Sequence, residues 1–440
     1  MKNLFLSAKF FYGAAILIGC MLFSYGFPLL LPFVQTACIL YVVAALIDIA
    51  LLFNRSVTLD IQRETSSVFS LGDENPVTIS VANKSNINLS AEIIDELPEQ
   101  FQVRNFTRYT SLAADTTSIQ TYTLRPLTRG EYHFGHTHVF ITSFLGLIKR
   151  RVSSDLQAVV PVYPSIIQMK KYELKTFART ATEYGVKKVR RVGHSYEFEH
   201  IKQYIRGDDY RSINWKATGR RAHLMVNQYE DEKSQQVYCI IDKSRVMHMP
   251  FHGLSLFDYA VNTALVISNI VLGKQDKAGL ITFAETPKAL LKADRNKLQL
   301  KKIIETLYKE REGAVEANYE SLYATTQKFL TGRCLLFLFT NFESTYALQR
   351  VLPQLRKLND RHLLVVVFFE NNEIATQTST NVDTLEDIYT QVTAEHYMLT
   401  KVQLAQELKQ HGIMSMLTKP ENLTVSTINK YLEVKSRGMI

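Results

Sequence analysis

Residues 204–220 read Tyr-Ile-Arg-Gly-Asp-Asp-Tyr-Arg-Ser-Ile-Asn-Trp-Lys-Ala-Thr-Gly-Arg. The stretch sets Arg206, Asp208, Asp209, Arg211, Lys216 and Arg220 around Trp215, the one tryptophan of the chain. Asp208 and Asp209 are the carboxylates that could serve a metal-dependent hydrolase. Neighbouring side chains on extended backbone point to opposite sides, however, so the pair rarely shares one ion. Ion pairing or capping of a turn is the expected role, because Asp readily bonds nearby backbone amides. So many opposite charges beside a large aromatic point to a folded polar network, since an unpaired charge in a core is costly. Trp215 is expected to be a packing anchor rather than a ligand-stacking surface, with Lys216 and Arg211 in reach for cation–π contact. His194 and His200 have no obvious Ser or Cys partner. Neither a phosphate-binding glycine loop nor a GxSxG or HExxH motif occurs. Glu230-Asp231-Glu232 reads as a solvated acidic turn, with a docking point for a basic surface as the alternative.

The 440 residues leave room for two or three domains. A net charge of +9 admits nucleic acid, a membrane surface or an acidic partner. The cations are scattered, apart from Lys149-Arg150-Arg151 and Lys187-Lys188-Val189-Arg190-Arg191, and no aromatic platform is interleaved with them, which argues against nucleic acid. The four cysteines form neither a CxxC nor a zinc-type cluster. Cys239 and Cys334 fall in apolar strand-like runs and are expected to behave as small hydrophobes.

Four segments must position these residues. Residues 1–55 predict a transmembrane hairpin, with spans over roughly 10–27 and 33–53 broken near Gly26-Phe27-Pro28 and Pro32, each near the ~20 residues a bilayer needs. The first span is short and could run on to about Leu31. A cleavable signal peptide is disfavoured, because no small-x-small site closes the first segment. Lys2, Lys9 and Arg55 are expected to place both ends, and the soluble domains, in the cytoplasm. Asp48 is expected near the interface, about one turn from the helix end. Residues 56–163 alternate apolar and polar with turn clusters between, the pattern of an all-β immunoglobulin-like sandwich of about seven strands. Residues 164–235 form a connector that carries the Trp215 stretch, partly ordered over 171–195. Residues 236–440 alternate continuous apolar strands with helices, which predicts an α/β Rossmann-type domain with a parallel sheet covered on both faces. Ligands of such sheets gather at the C-terminal ends of strands, where Asp242, Ser244, Thr340 and Asn341 lie.

The chain resembles the bacterial membrane proteins of the domain of unknown function 58 family. The resemblance rests on Glu197-Phe198, Gly207-Asp208-Asp209, Arg211, Ile213-Asn214-Trp215-Lys216-Ala217-Thr218-Gly219-Arg220, Met225-Val226 and Glu230-Asp231-Glu232. Leu124-Arg125-Pro126-Leu127-Thr128-Arg129-Gly130-Glu131-Tyr132 and Phe144-Leu145-Gly146-Leu147-Ile148 extend it, so that it covers roughly residues 55–290. It implies a two-helix anchor, an immunoglobulin-like module and a von Willebrand factor A-like domain. It also implies a MoxR-type AAA+ ATPase partner, other von Willebrand factor A-type membrane proteins, and a part in assembling or maturing other complexes.

Von Willebrand factor A domains often hold Mg²⁺ through Asp-x-Ser-x-Ser and later Thr and Asp residues. Asp242 and Ser244 match that pattern, Val246 replaces the second Ser, Asn341 stands where the Asp is expected, and Asn318 is a candidate for the Thr. Lys243 and Arg245 are expected to repel a divalent ion. The expectation is therefore a degenerate site, no cofactor, no catalysis, and a scaffold that binds protein partners. A Mg²⁺-dependent adhesion-like module is the alternative.

Overall fold

The computed structural model describes residues 3–104, 106–173, 197–205, 208, 210–221, 223–230, 234–296, 298–370, 374 and 385–439, and divides the chain into two units, Met1–Ser165 and Ile166–Ile440.

The first unit begins with a short strand, β1 (Leu4–Leu6), followed by helices α1 (Ala8–Ser24) and α2 (Leu31–Leu52). The turn at Tyr25 and a 3₁₀ segment at Pro28–Leu30 end α1 after 17 residues, so it does not run on to Leu31. At 1.5 Å per residue α1 is about 26 Å long and α2, with 22 residues, about 33 Å. Helix α2 is long and apolar enough to cross a membrane, and only 11% of its most apolar window is buried. The two helices touch where Gly13 faces Tyr41. A Cβ at Gly13 would lie 2.7 Å from the phenol oxygen, which donates to Phe10 O at 2.7 Å.

The strands β2 (Leu59–Thr65), β3 (Phe69–Ser70), β4 (Asn75–Asn83), β5 (Leu89–Asp95), β6 (Thr107–Leu112), β7 (Thr116–Leu124), β8 (Gly130–Phe134), β9 (Thr137–Thr142), β10 (Ile148–Ser154) and β11 (Ala158–Tyr163) build a β-sandwich. One sheet runs β1-β10-β9-β5-β6; β2-β4-β7 and β3-β11-β8 make the others. Val77, Ile79 and Val81 of β4 alternate inward and are buried, as the period-2 pattern demands. Strand β1 was not legible in the sequence. Leu4 pairs with Arg150 and Leu6 with Ile148, so the residues before the helices belong to the sandwich.

The second unit opens with helix α3 (166–173), whose Met169 is buried in the α/β core. Strands β12 (Glu197–Gln203) and β13 (Met225–Glu230) then pair as an antiparallel hairpin, and helix α4 (Trp215–Arg221) lies between them. The 171–195 connector falls almost wholly outside the described residues. The remaining elements are β14 (Gln236–Asp242), the two-residue ladder β15 (Pro250–Phe251) and β16 (Leu254–Ser255), α5 (Leu256–Gly273), β17 (Lys277–Phe283), β18 (Pro287–Asp294), α6 (Leu298–Lys309), α7 (Tyr319–Phe329), β19 (Leu335–Phe339), α8 (Thr345–Arg361), β20 (Leu363–Phe369), α9 (Leu385–Gln410), β21 (Met414–Thr418) and α10 (Leu423–Ser436).

Six of these strands form a doubly wound sheet of order β18-β17-β14-β19-β20-β21. It is parallel except at β18, which runs antiparallel to β17. Strand β18 and helix α7 went unrecognised in the sequence. Leu290 and Lys292 alternate with half-buried neighbours in β18, the pattern of a solvated edge kept from further pairing by charge. On one face Val237, Cys239 and Ile241 pack with α5, α6 and α10; on the other Tyr238 and Ile240 pack with α7, α8 and α9. Helix α5 is as apolar as a membrane span, but 72% of it is buried as the core of this unit. Burial pushes the Cys239 thiol up to about 12 and that of Cys334 up to about 11, which leaves both unreactive.

Candidate functional site

The chain crosses from one face of the sheet to the other between β14 and β19, so a crevice opens at the C-terminal ends of these neighbouring strands. Asp242 ends β14, and Thr340 and Asn341 follow β19. The pocket there has a volume of about 340 Å³ and is lined by Asp242, Ser244, Glu316, Tyr319, Asn341, Tyr346 and Arg350, among others.

Asp242 is fully buried. Its Oδ1 accepts the Ser244 N–H at 2.9 Å and its Oδ2 the Thr340 hydroxyl at 2.7 Å. Thr340 has one proton and gives it to Asp242, so the Tyr319 phenol, 2.7 Å away, donates to Thr340 Oγ1. Burial raises the Asp242 carboxyl above the usual carboxylate range, against the pull of these donors. Burial, reinforced by the Asp242 charge, also lifts the Tyr319 phenol well above its ordinary value.

Asn341 is engaged from the opposite side. The ammonium of Lys401, buried on α9, donates to Asn341 Oδ1 at 2.8 Å and to Phe342 O. Desolvation lowers Lys401 to about 8. The two cations expected to repel an ion each meet a carboxylate other than Asp242, and Arg245 also lines the pocket. Lys243 pairs with Glu310 at 2.7 Å, and Arg245 is exposed, 3.8 Å from Glu316. Repulsion by Lys243 and Arg245 is thus partly offset by their own carboxylate partners and does not by itself decide whether an ion fits this edge.

The donor set itself governs it. Mg²⁺ requires about six oxygens in near-octahedral array. Of the carboxylates lining the pocket, Asp242 already accepts protein donors and Glu316 lies 3.3 Å from Arg350; Val246 brings no oxygen in its side chain, and Lys401 holds the amide oxygen of Asn341. Asn318 caps α7 by accepting the Ser321 N–H at 2.9 Å. Among the described residues, no three His, Cys, Asp or Glu side chains group around a point. Ser244 Oγ lies in the same pocket, buried and without a hydrogen-bond partner among the described residues. These residues do not fit a divalent ion.

The Trp215 stretch forms a separate site on the hairpin. Asp208 pairs with Lys202 at 2.8 Å and accepts the Ile205 N–H at 2.9 Å. The Lys202 hydrogen bond, with that from Ile205, holds its carboxyl below the usual range. Asn214 Oδ1 caps α4 through the Ala217 N–H at 3.0 Å, its amide donates to Asn227 at 2.8 Å, and Thr218 Oγ1 accepts the Met225 N–H at 3.0 Å. Arg206, Gly207 and Asp209 lie outside the described residues, as do His194, Asp231, Glu232 and the 187–191 cluster. The network therefore pins backbone, while the large apolar side chains face outward. Trp215 is 72% exposed and Tyr210 68%, which corrects the expectation of a packing anchor. Arg211 lies over the Tyr210 ring at 5.7 Å, and Lys216 and Arg220 are exposed beside Trp215.

The family model described as "Protein of unknown function DUF58" matches residues 200–395. Over those residues the chain is similar to the DUF58 family. The DUF58 stretch holds the Trp215 site, Asp242 and Asn341, but not Lys401. "Uncharacterized protein YeaD" of Bacillus subtilis (strain 168) is 25% identical over 220 residues, 49% of this chain; the chain spans about half, 53%, of that relative's length. Among solved structures, the conserved hypothetical protein BatB from Bacteroides thetaiotaomicron is 13% identical with a TM-score of 0.32, covering 46% of this chain and 99% of its own. A PapD-like domain of human CEP192 is 11% identical with a TM-score of 0.20, covering 26% of this chain and 89% of its own.

Tyr319 and Lys401, which complete the sheet edge, were missed by sequence reasoning. The spacing of Tyr319, Leu322, Thr326 and Phe329 after Asn318 was the available signal for α7; nothing local marks Lys401.

Proposed function

We propose that this chain is a membrane-anchored interaction protein, not an enzyme, which docks an acidic protein surface through the patch around Trp215. The exposure of Trp215 beside Tyr210, on a hairpin whose backbone is pinned by Asp208 and Asn214, carries this reading. Large aromatics with arginine dominate the binding energy of protein interfaces, and a ring of cations speeds encounter with an acidic partner. Arg211, Lys216, Arg220 and Arg221 supply that ring. The family resemblance points to a MoxR-type AAA+ ATPase as the partner and to assembly or maturation of other complexes as the task. It also supports a von Willebrand factor A-like reading of the α/β unit, in accord with Asp242-x-Ser244 at the end of β14. Lys2, Lys9 and Arg55 favour two spans of the bacterial inner membrane with the domains in the cytoplasm.

Cross-linking capture from native membranes, with the full chain as bait, tests the docking role. Trp215→Ala is expected to weaken the captured complex at least about 30-fold, the equivalent of about 2 kcal/mol. Equal capture by Trp215→Ala and the parent chain would refute it. The adhesion-like alternative draws on the unpartnered Ser244 Oγ. Its signature would be a rise in melting temperature with Mg²⁺ that Asp242→Ala removes.

A further inference from the structure

The loop between β9 and β10, Ser143 to Leu147, is held against the N-terminal helices by bonds from both. Asp48 of α2, fully buried, accepts the Ser143 hydroxyl and the N–H groups of Leu147 and Ile148, the latter two at 2.9 and 2.8 Å. Ser7, just ahead of α1, donates its hydroxyl to Gly146 O at 2.6 Å and its N–H to Leu147 O at 3.0 Å. The loop is thus clamped beside the first turn of α1 and the last turn of α2. Phe144 at its tip is 80% exposed.

Beside the end of a membrane-spanning pair, a phenylalanine this open lies at the depth where acyl chains meet headgroups. Phe11 and Tyr12 of α1 are also exposed, and the cations of Lys9 and Arg55 flank the same end. Lys149, Arg150 and Arg151 on the following strand are turned to protein partners instead: Glu92, Leu52 O and the Phe5 ring.

We infer that the 143–147 loop is a bilayer-contacting element, with Phe144 seated in the lipid interface and Lys9 and Arg55 facing anionic headgroups, so that the sandwich is held at a set depth on the membrane. This rests on the reading of α1 and α2 as membrane spans. The occupant is argued to be lipid because the loop is continuous with the apolar surface of those helices and is rimmed by positive charge.

The test uses the full chain in bilayers of phosphatidylcholine and phosphatidylglycerol, with Trp215→Phe as background. A single reporter is placed at the tip by Phe144→Trp, and a second protein carries Ile47→Trp on the exposed side of α2. Lipids brominated near the top of the acyl chain are expected to quench the Trp at 144, and its emission to be blue-shifted. Quenching at 47 with water-like, unquenched emission at 144 overturns the inference and leaves the anchor standing. Blue-shifted but unquenched emission at 144 also overturns it, because protein then covers the tip. Absence of quenching at both positions overturns the membrane-spanning reading and the inference with it.

Discussion

The ammonium of Lys401 lies 2.8 Å from Asn341 Oδ1, joining residues 60 positions apart at the C-terminal edge of the sheet. A cation belonging to the protein thus sits beside the pocket whose residues invited the search for a metal. Its burial against Tyr397, 5.1 Å away, explains its lowered proton affinity.

That lowering fixes a pH dependence. An unfolded lysine keeps its proton to about pH 10.4, whereas Lys401 loses its own near 8. Between these values the unfolded chain binds more protons, so stability should rise with pH across that window. The gain is up to about 3 kcal/mol, the free energy of the shift. Melting temperature measured across this range should show the rise, and Lys401→Met should flatten it.

A buried ion pair ties two sheets of the sandwich together. Arg63 on β2 lies 2.7 Å from Asp95 on β5, both side chains essentially inaccessible, and Tyr122 and Thr137 also donate to Asp95. Arg63→Ala leaves a buried carboxylate short of its cation and should cost about 3–5 kcal/mol in denaturant unfolding. Tyr122→Phe removes one donor to that carboxylate and should cost about 1.5–3 kcal/mol.

Asp48 is expected to be the clamp between α2 and the sandwich. In Asp48→Ala the Leu147 and Ile148 amides lose their acceptor, at a cost of about 1–3 kcal/mol. Hydrogen exchange at these two amides should accelerate while the Ile240 and Leu338 amides of the α/β sheet stay protected. Unchanged exchange at 147 and 148 would remove Asp48 from this role.

Gly13 should tolerate no branched side chain. A Cβ there falls 2.7 Å from the Tyr41 oxygen, so Gly13→Val must push Tyr41 off Phe10 O. A loss of about 1–3 kcal/mol is expected from overpacking, read as a lower melting temperature in detergent. Tyr41→Leu in the same chain should restore part of it.

Where burial is uniform along an element, the sequence was sufficient. Val237–Ile241, Leu335–Phe339 and Leu363–Phe369 are apolar throughout because both their faces are covered, and the sandwich strands alternate because only one face is; such patterns are written in consecutive residues. The apolar N-terminal helices and the stretch around Trp215 are legible because they too are written in consecutive residues. Strand β18 and helix α7 escaped because half-solvated elements carry weaker periodicity. The sheet-edge set was legible as Asp242, Ser244, Thr340 and Asn341, but its control by Tyr319 and Lys401 was not. Those partners arrive from helices on the face of the sheet opposite α5, and only the packing of that layer brings them to the strand ends. Likewise, a tryptophan amid charges reads locally as an anchor. Its exposure was decided by the hairpin, which meets its backbone demands through Asp208, Asn214 and Thr218 and leaves the ring outside.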